Sequence, residues 1–246
     1  MQLVFPEDLA TSIPVDDSGA KQLAKLYAFP DRFWVRAMMN TSIDGRVAGD
    51  DGTSASLHNP EDSLLLRTTR ALADAIVVGA ETVRLEEYRQ PRGLKSLREL
   101  SLRPAGKSLP ELFIFTNSGN IPAHIAPGWP AFLVCAEDSR AVVSARSHFP
   151  DNHIISYREL SDFTEHLHQR GLKGVQVEGG PGLLAQFSAA NLLNEICVST
   201  SFVTVAGKGK HLFEGAPLAQ HWSLASQVVG ERALLSRYLR VERESN

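Results

Sequence analysis

Asp74-Ala75-Ile76-Val77-Val78-Gly79 (DAIVVG) is the stretch that decides the fold. Its unbroken apolar run is typical of a short strand that is buried on both faces of a parallel sheet. A second strand of this kind, residues 174–178 (GVQVE), runs into Gly179 and Gly180. Helix-like patterns follow both strands, and this strand–helix alternation favours an α/β architecture.

The rest of the chain extends this pattern. Asn59, Pro60 and two acids predict a helix from residue 60 to about residue 71, because they supply an N-cap, a first-turn proline and favourable charges. The remaining predicted strands are 33–39, 112–116, 131–136 and 195–202; the remaining helices are 138–146, 159–170 and one after Pro181; and a hairpin spans 222–229 and 233–241 around Gly230-Glu231. The predicted fold is a three-layer α/β domain, with a mostly parallel sheet and an antiparallel C-terminal hairpin.

One domain is predicted over residues 32–246, since no linker-like segment interrupts it. Residues 1–31 contain three prolines and an acidic pair. They are interpreted as an N-terminal extension with a short helix near residues 18–28. Residues 85–110 form a polar stretch with four arginines. Loops of this length are usually functional or disordered.

The composition narrows the class of protein. The 246 residues carry 25 basic and 28 acidic side chains, a net charge of −3, and 43% are hydrophobic. These values are typical of a soluble globular protein, and they disfavour disorder and charge-driven nucleic-acid binding. No apolar run is long enough for a bilayer, and the N-terminus is not a secretory signal. A cytoplasmic protein that binds neither membrane nor nucleic acid is expected.

The Gly179-Gly180-Pro181-Gly182 junction is the most informative candidate site. Free N–H groups at a helix start form an anion site when no Cβ blocks them, and a dinucleotide pyrophosphate would suit it. A tight turn without ligand explains the pattern equally well. Gly79-Ala80-Glu81-Thr82 repeats the arrangement. Two such junctions at the carboxyl ends of strands would border one crevice, where open α/β sheets bind ligands.

Two charged residues have competing interpretations. Asp44 follows the first predicted strand and could bind an amine or amide, although an Asp-Gly turn explains it better. Arg70 could bind a phosphate, or could interact with the C-terminus of its helix. Cys135 and Cys197 form no CxxC pair, and the sequence has no HExxH, so no metal site is predicted.

Taken together, four blocks resemble a known family. They are residues 39–46 (MNTSIDGR), residues 66–70 leading into 73–83 (ADAIVVGAETV), residues 177–181 (VEGGP) and residues 193–195 (LNE). Their order and spacing resemble the reductase domain of the riboflavin-biosynthesis deaminase–reductases, pyrimidine reductases with a dihydrofolate-reductase-like fold. The resemblance covers residues 33–241. The deaminase signature is absent, so a stand-alone reductase domain is expected.

The resemblance implies an NADPH-dependent oxidoreductase that forms a homodimer. Its reaction reduces the ribosylamino group of a pyrimidinedione 5′-phosphate to a ribitylamino group. The implied NADPH contacts are Gly79, Thr82, Glu86, Gly179, Gly180, Pro181, Gly182, Leu183 and Leu184; the implied substrate contacts are Ser54, Arg70, Arg92 and Glu178. As a hypothesis, the Asp44 carboxylate stabilises an iminium at the reacting nitrogen.

The chain departs from the family pattern at residues 85–92 (LEEYRQPR), where an Asp-(Asp/Asn)-Pro segment and a phosphate-binding arginine are usual. Arg92 is one candidate for that arginine. The departure keeps two alternatives open. One is a reductase of a pteridine or related heterocycle on the same fold. The other is a non-catalytic protein that binds a nucleotide.

Overall fold

The computed structural model describes residues 1–100, 102–122, 125, 131–140 and 149–241. Within these residues, eleven strands form a single sheet: β1 Gln2–Phe5, β2 Thr11–Ser12, β3 Trp34–Thr41, β4 Ala75–Gly79, β5 Glu111–Phe115, β6 Ala131–Ala136, β7 Ile154–Tyr157, β8 Gly174–Val177, β9 Glu195–Ser201, β10 Trp222–Val229 and β11 Ala233–Arg240. The α-helices of the same residues are α1 Asp17–Leu26, α2 Pro60–Leu72, α3 Ala80–Leu85, α4 Lys95–Arg98, α5 Leu160–Gln169 and α6 Pro181–Ala189.

The strands lie in the order β2-β1-β10-β11-β9-β3-β8-β4-β5-β6-β7. Neighbours from β9 to β7 are parallel. Neighbours from β9 to β2 are antiparallel, and the β10–β11 hairpin pairs Val229 with Leu234. The predicted mostly parallel sheet with an antiparallel C-terminal hairpin is therefore confirmed.

Helices cover both faces of the sheet, which gives the three layers that the sequence predicts. Ala75 and Val77 of β4 pack in a core that includes Phe163 of α5 and Phe187 of α6. Ile76 and Val78 point to the opposite face, as the two-residue period of a strand requires. Burial on both sides explains why the sequence of β4 shows no polar alternation.

Helix α2 begins where the sequence predicts. The Asn59 side chain accepts a hydrogen bond from the Asp62 N–H at 2.8 Å, and Pro60 occupies the first turn. Glu61 accepts hydrogen bonds from the backbone N–H groups of Glu231 and Arg232 at 3.0 and 3.2 Å. The first turn of α2 therefore also holds the turn of the β10–β11 hairpin.

The N-terminal segment, interpreted from the sequence as an extension, is part of the sheet. Strand β1 pairs with β10, and α1, close to the predicted position, begins after Asp16, whose carboxylate accepts from two backbone N–H groups. Leu3, Ile13, Leu23 and Tyr27 are buried in the core beneath α2. Strands β1 and β2 have only four and two residues, so their apolar pattern is too short to predict them.

Three further expectations concern a predicted helix, a membrane span and a metal site. The predicted helix at 138–146 falls largely outside the described residues. No described helix combines the length and apolarity that a membrane span requires. In the same residues, no group of three or more His, Cys, Asp or Glu side chains could hold a metal ion. Cys135 and Cys197 are free and buried.

A buried ion network ties three strands together. Arg36 of β3 and Glu195 of β9 are fully buried, with 2.7 Å between Nε and Oε1. Arg237 of β11 donates to the same oxygen at 2.8 Å, and the indole of Trp34 donates to Oε2 at 2.7 Å. Burial alone would raise the pKa of Glu195, but the two guanidinium groups lower it to about 2.

We expect Glu195→Gln to lower the free energy of unfolding by about 3–5 kcal/mol, because two guanidinium groups lose their counter-charge. Because the pKa of Glu195 is lowered in the folded protein, the free energy of unfolding should fall as the pH falls. The stabilisation is complete above the ordinary glutamate value of 4.5 and is lost as the pH falls towards about 2. Urea denaturation between pH 6 and pH 2 measures both effects, with Glu165→Gln on the exposed side of α5 as the control. An equal pH slope in the wild type and Glu195→Gln would contradict this account.

Candidate active site

The two glycine junctions lie side by side, because β4 and β8 are neighbours in the sheet. The Gly79 N–H donates to the Gly179 carbonyl oxygen at 2.8 Å, and the Glu178 N–H donates to the Val77 oxygen at 2.8 Å. The carboxyl ends of the two strands therefore form one continuous edge. This is the position where open α/β sheets bind ligands.

Glycine is required sterically at this edge. Gly179 has a φ of 93°, and its peptide bond to Gly180 is cis. A Cβ on Gly179 would lie 3.2 Å from the Met39 sulfur, and one on Gly180 would lie 3.3 Å from Thr82 Oγ1. Helix α6 begins immediately afterwards, with Gly180 as its N-cap. The first N–H groups of α6 thus lie at an edge without side chains, which suits an anion.

Two adjoining clefts share this edge. The first has a volume of about 490 Å³ and is lined by α2, by residues 85–89 and by the Glu178–Pro181 segment. The second has a volume of about 430 Å³ and is lined by Gly79, Arg84, the 115–118 segment and the start of α6. Glu81, Gly180, Pro181 and Lys210 line both clefts. A ligand bound in one cleft would therefore contact a ligand bound in the other cleft beside Gly180.

A charged cluster forms one wall of the first cleft. The Arg70 guanidinium donates to both oxygens of Glu178, at 2.9 and 2.7 Å. The Tyr88 hydroxyl also donates to Glu178, and the Arg70 guanidinium lies 5.1 Å from the centre of the Tyr88 ring. Burial favours the neutral acid, yet Arg70 holds the pKa of Glu178 below its ordinary value. The carboxylate is therefore ionised and held in one orientation.

A second pair of predicted residues, Ser54 and Glu86, also meets in the lining of the first cleft. The Ser54 N–H and hydroxyl donate to the two oxygens of Glu86, at 2.7 and 2.9 Å. Both residues line the first cleft, as does Thr82. Glu86, assigned from the resemblance to the cofactor, thus contacts the residue assigned to the substrate. It fixes the 52–54 loop against the end of α3.

Asp44 does not line either cleft. Its exposed carboxylate accepts hydrogen bonds from the backbone N–H groups of Val205 and Ala206, at 3.0 and 2.8 Å. The Ser42 hydroxyl and these two N–H groups hold its pKa below the usual range. Asp44 therefore joins two loops at the edge of the sheet. Its predicted contact with a reacting nitrogen stays a prediction.

The structure places two other residues of the predicted contacts, Arg92 and Leu184, outside the lining of both clefts. Arg92 is exposed and donates to Gln90 at 2.6 Å, whereas Arg89 lines the first cleft. The chain turns at Glu87, which has a φ of 44°, so the cleft is lined by residues 85–89 rather than by Arg92. Leu184 is fully buried in the core, and its N–H donates to the Gly180 oxygen. The polar stretch at 85–110 is thus partly a wall of the cleft.

The residues of this cleft that were not predicted include Asp62, Tyr88 and Lys210. Asp62 could have been found, because it lies eight residues before Arg70 and therefore on the same side of a helix. Tyr88 lies in the segment that departs from the family pattern, and that segment gave no signal for it. Lys210 reaches the cleft from a loop, where its Nζ lies 2.7 Å from Glu81 Oε2.

The fold and the two clefts define an α/β protein whose ligand site lies at the carboxyl edge of parallel strands. The model of the RibD C-terminal domain family matches residues 33–235, and the chain belongs to this family. A relative, the 2,5-diamino-6-ribosylamino-4(3H)-pyrimidinone 5′-phosphate reductase of Archaeoglobus fulgidus, is 22% identical over 190 residues, which are 72% of this chain and 84% of that enzyme.

Solved structures confirm the fold. A pyrimidine reductase-like protein from Corynebacterium diphtheriae superposes with a TM-score of 0.78 at 20% identity, over 90% of this chain and 99% of that one. The dihydrofolate reductase of Enterococcus faecalis, in complex with NADP(H), superposes with a TM-score of 0.50 at 13% identity, over 85% and 97% of the two chains. The architecture is therefore dihydrofolate-reductase-like, as the sequence predicts.

Proposed function

We propose that the protein is a reductase of riboflavin biosynthesis, which transfers hydride from NADPH to the ribosylamino group of a pyrimidine 5′-phosphate. The observation that carries this proposal is the pair of clefts that meet at Gly180 and Pro181. Hydride transfer needs two ligands in contact, and each cleft offers space for one. Membership of the RibD C-terminal domain family and the name of the Archaeoglobus fulgidus relative support this assignment.

The second cleft fits a dinucleotide. Its edge has no side chain at Gly79 and Gly180, and a Cβ on Gly79 would lie only 3.4 Å from the Gly180 nitrogen. The start of α6 offers N–H groups for a pyrophosphate, through Gly182 and Leu183. Arg84, Thr116 and Ser118 are the basic and hydroxyl groups that would hold a 2′-phosphate there. NADPH, when bound, supplies the hydride.

The first cleft would hold the pyrimidine and its sugar phosphate. The Glu178 carboxylate accepts hydrogen bonds from Arg70, Tyr88 and Gln176, which hold it as a fixed negative charge in the wall of this cleft. The Arg70 guanidinium is already bound to Glu178 and the Lys210 ammonium to Glu81, so Arg89 is the better candidate for the phosphate. Reduction of an imine carbon requires one hydride on carbon and one proton on nitrogen. The chain contributes mainly by holding both reactants in contact.

The direct test is NADPH oxidation by the purified protein, followed at 340 nm, with phosphoribosylamino-pyrimidines and with dihydrofolate. We expect oxidation with a phosphoribosylamino-pyrimidine and none with dihydrofolate. Turnover of dihydrofolate would favour the pteridine alternative. NADPH binding without oxidation by any of these compounds would favour a non-catalytic nucleotide-binding protein, and either result would contradict the proposal.

Arg84→Ala tests the cofactor assignment. Loss of a charge-assisted contact to the 2′-phosphate should raise the KM for NADPH roughly tenfold or more, while the KM for NADH changes little. Arg84 is exposed, so the fold should tolerate the change. NADH serves as the internal control, because it lacks the 2′-phosphate. Equal effects on both cofactors would show that Arg84 does not recognise this group.

Asp44→Asn tests whether Asp44 stabilises the reacting nitrogen or only joins two loops. Its contacts with the 205–206 backbone give no route to the cleft, so single-turnover hydride transfer should stay within about twofold of the wild type. Loss of a group that stabilises the transition state would instead cost about 100-fold or more. A rapid-quench or stopped-flow single-turnover experiment measures the difference. A large loss would restore the iminium hypothesis.

A further inference from the structure

Helix α2 presents three side chains to the first cleft at intervals of four residues: Asp62, Leu66 and Arg70. Residues four apart lie above one another on a helix, so these form one stripe. With a rise of about 1.5 Å per residue, the stripe is about 12 Å long from Asp62 to Arg70. It has a carboxylate at one end, an apolar centre and the Arg70–Glu178 pair at the other end.

Asp62 differs from the two ion-paired acids of this cleft. Glu178 is paired with Arg70, and Glu81 is paired with Lys210. Asp62 instead accepts a hydrogen bond from a neutral group: the Asn40 amide donates to Oδ2 at 3.1 Å. Burial raises its pKa, although His58 and Arg70 act in the opposite direction. An ionised carboxylate has about four acceptor positions, so the Asn40 hydrogen bond leaves Asp62 able to accept more.

We propose that Asp62 recognises the 2-amino group and the adjacent ring N3–H of the pyrimidine, so that the substrate is a 2,5-diaminopyrimidinone rather than a pyrimidinedione. This inference rests on the proposed function and names the substrate of the same cleft. The two oxygens of a carboxylate match two adjacent N–H donors in a planar, bidentate arrangement. In a pyrimidinedione, position 2 carries a carbonyl oxygen, which would face the carboxylate without a proton between them.

The rest of the stripe fits the same orientation. Leu66 and Met39 supply apolar surface for the faces of a flat ring. The ribosylamino chain would then extend past Glu178 towards Gly180 and Pro181, which both clefts share. The family resemblance implies a pyrimidinedione, whereas the Archaeoglobus fulgidus relative is named for a diaminopyrimidinone. Asp62 favours the second of these substrates.

The test compares two bases that differ only at position 2: 2,5,6-triaminopyrimidin-4-one and 5,6-diaminouracil. Isothermal titration with the full chain should show that the wild type binds the 2-amino base roughly tenfold or more tightly, as sites built around a substrate N–H do. Asp62→Asn should reduce this preference below about threefold, because an amide can also donate to a 2-oxo group. Asp17→Asn, an exposed acid in the first turn of α1, is the matched control and should keep the wild-type ratio.

The ratio is measured within each variant, so partial unfolding of Asp62→Asn lowers both affinities and leaves the comparison valid. Equal binding of the two bases by the wild type, an unchanged ratio in Asp62→Asn, or no measurable binding of either base overturns the inference. NADPH oxidation with the two matching phosphoribosylamino substrates is measured in parallel. Turnover of both at similar rates would leave the proposed function intact and overturn the inference, whereas turnover of neither would overturn the proposed function.

Discussion

The contact between the ends of β4 and β8 is the constraint on which the rest of the site depends. The hydrogen bond from Gly79 to Gly179 brings two loops together that are separated by about a hundred residues of sequence. Side chains at Gly79, Gly179 and Gly180 would meet backbone, Met39 or Thr82 within 3.4 Å. The positive φ of Gly179 favours glycine there, and the absence of Cβ atoms at all three positions leaves the edge between the two clefts open.

The ion pair between Arg70 and Glu178 places a fixed pair of opposite charges in the first cleft. Arg70 belongs to α2 and Glu178 follows β8, so the pair joins a helix to the sheet edge, and Tyr88 brings the 85–89 segment to the same carboxylate. A pair of this kind need not stabilise the fold, because desolvation costs as much as the attraction returns. Its effect is to keep an ionised acceptor in a fixed orientation inside the cleft. A net charge of −3 says nothing about such local arrangements.

The sequence predicted the parts of the fold that depend on local chemistry. The continuous apolar run of β4 and the Asn59-Pro60 cap of α2 are patterns of neighbouring residues, and both elements occur where expected. The meeting of the glycine junctions followed from a general property of parallel sheets. The integration of β1 and β2 could not be predicted, because their pairing depends on a distant strand, β10.

Prediction of the site was less complete, for a physical reason. A titratable side chain in a motif can contact a ligand or another part of the chain, and the choice depends on groups that are remote in sequence. The Asp44 carboxylate accepts hydrogen bonds from the backbone of residues 205–206, and the Arg70 guanidinium donates to Glu178. Arg92 follows the turn at Glu87 and is exposed. Asp62 shows the converse. Its position in the first turn of α2 is explained by helix chemistry alone, yet the same turn presents the carboxylate to the cleft beside the neutral Asn40 amide. An acid that stabilises a helix N-terminus is therefore also available to a ligand when that helix borders a cleft.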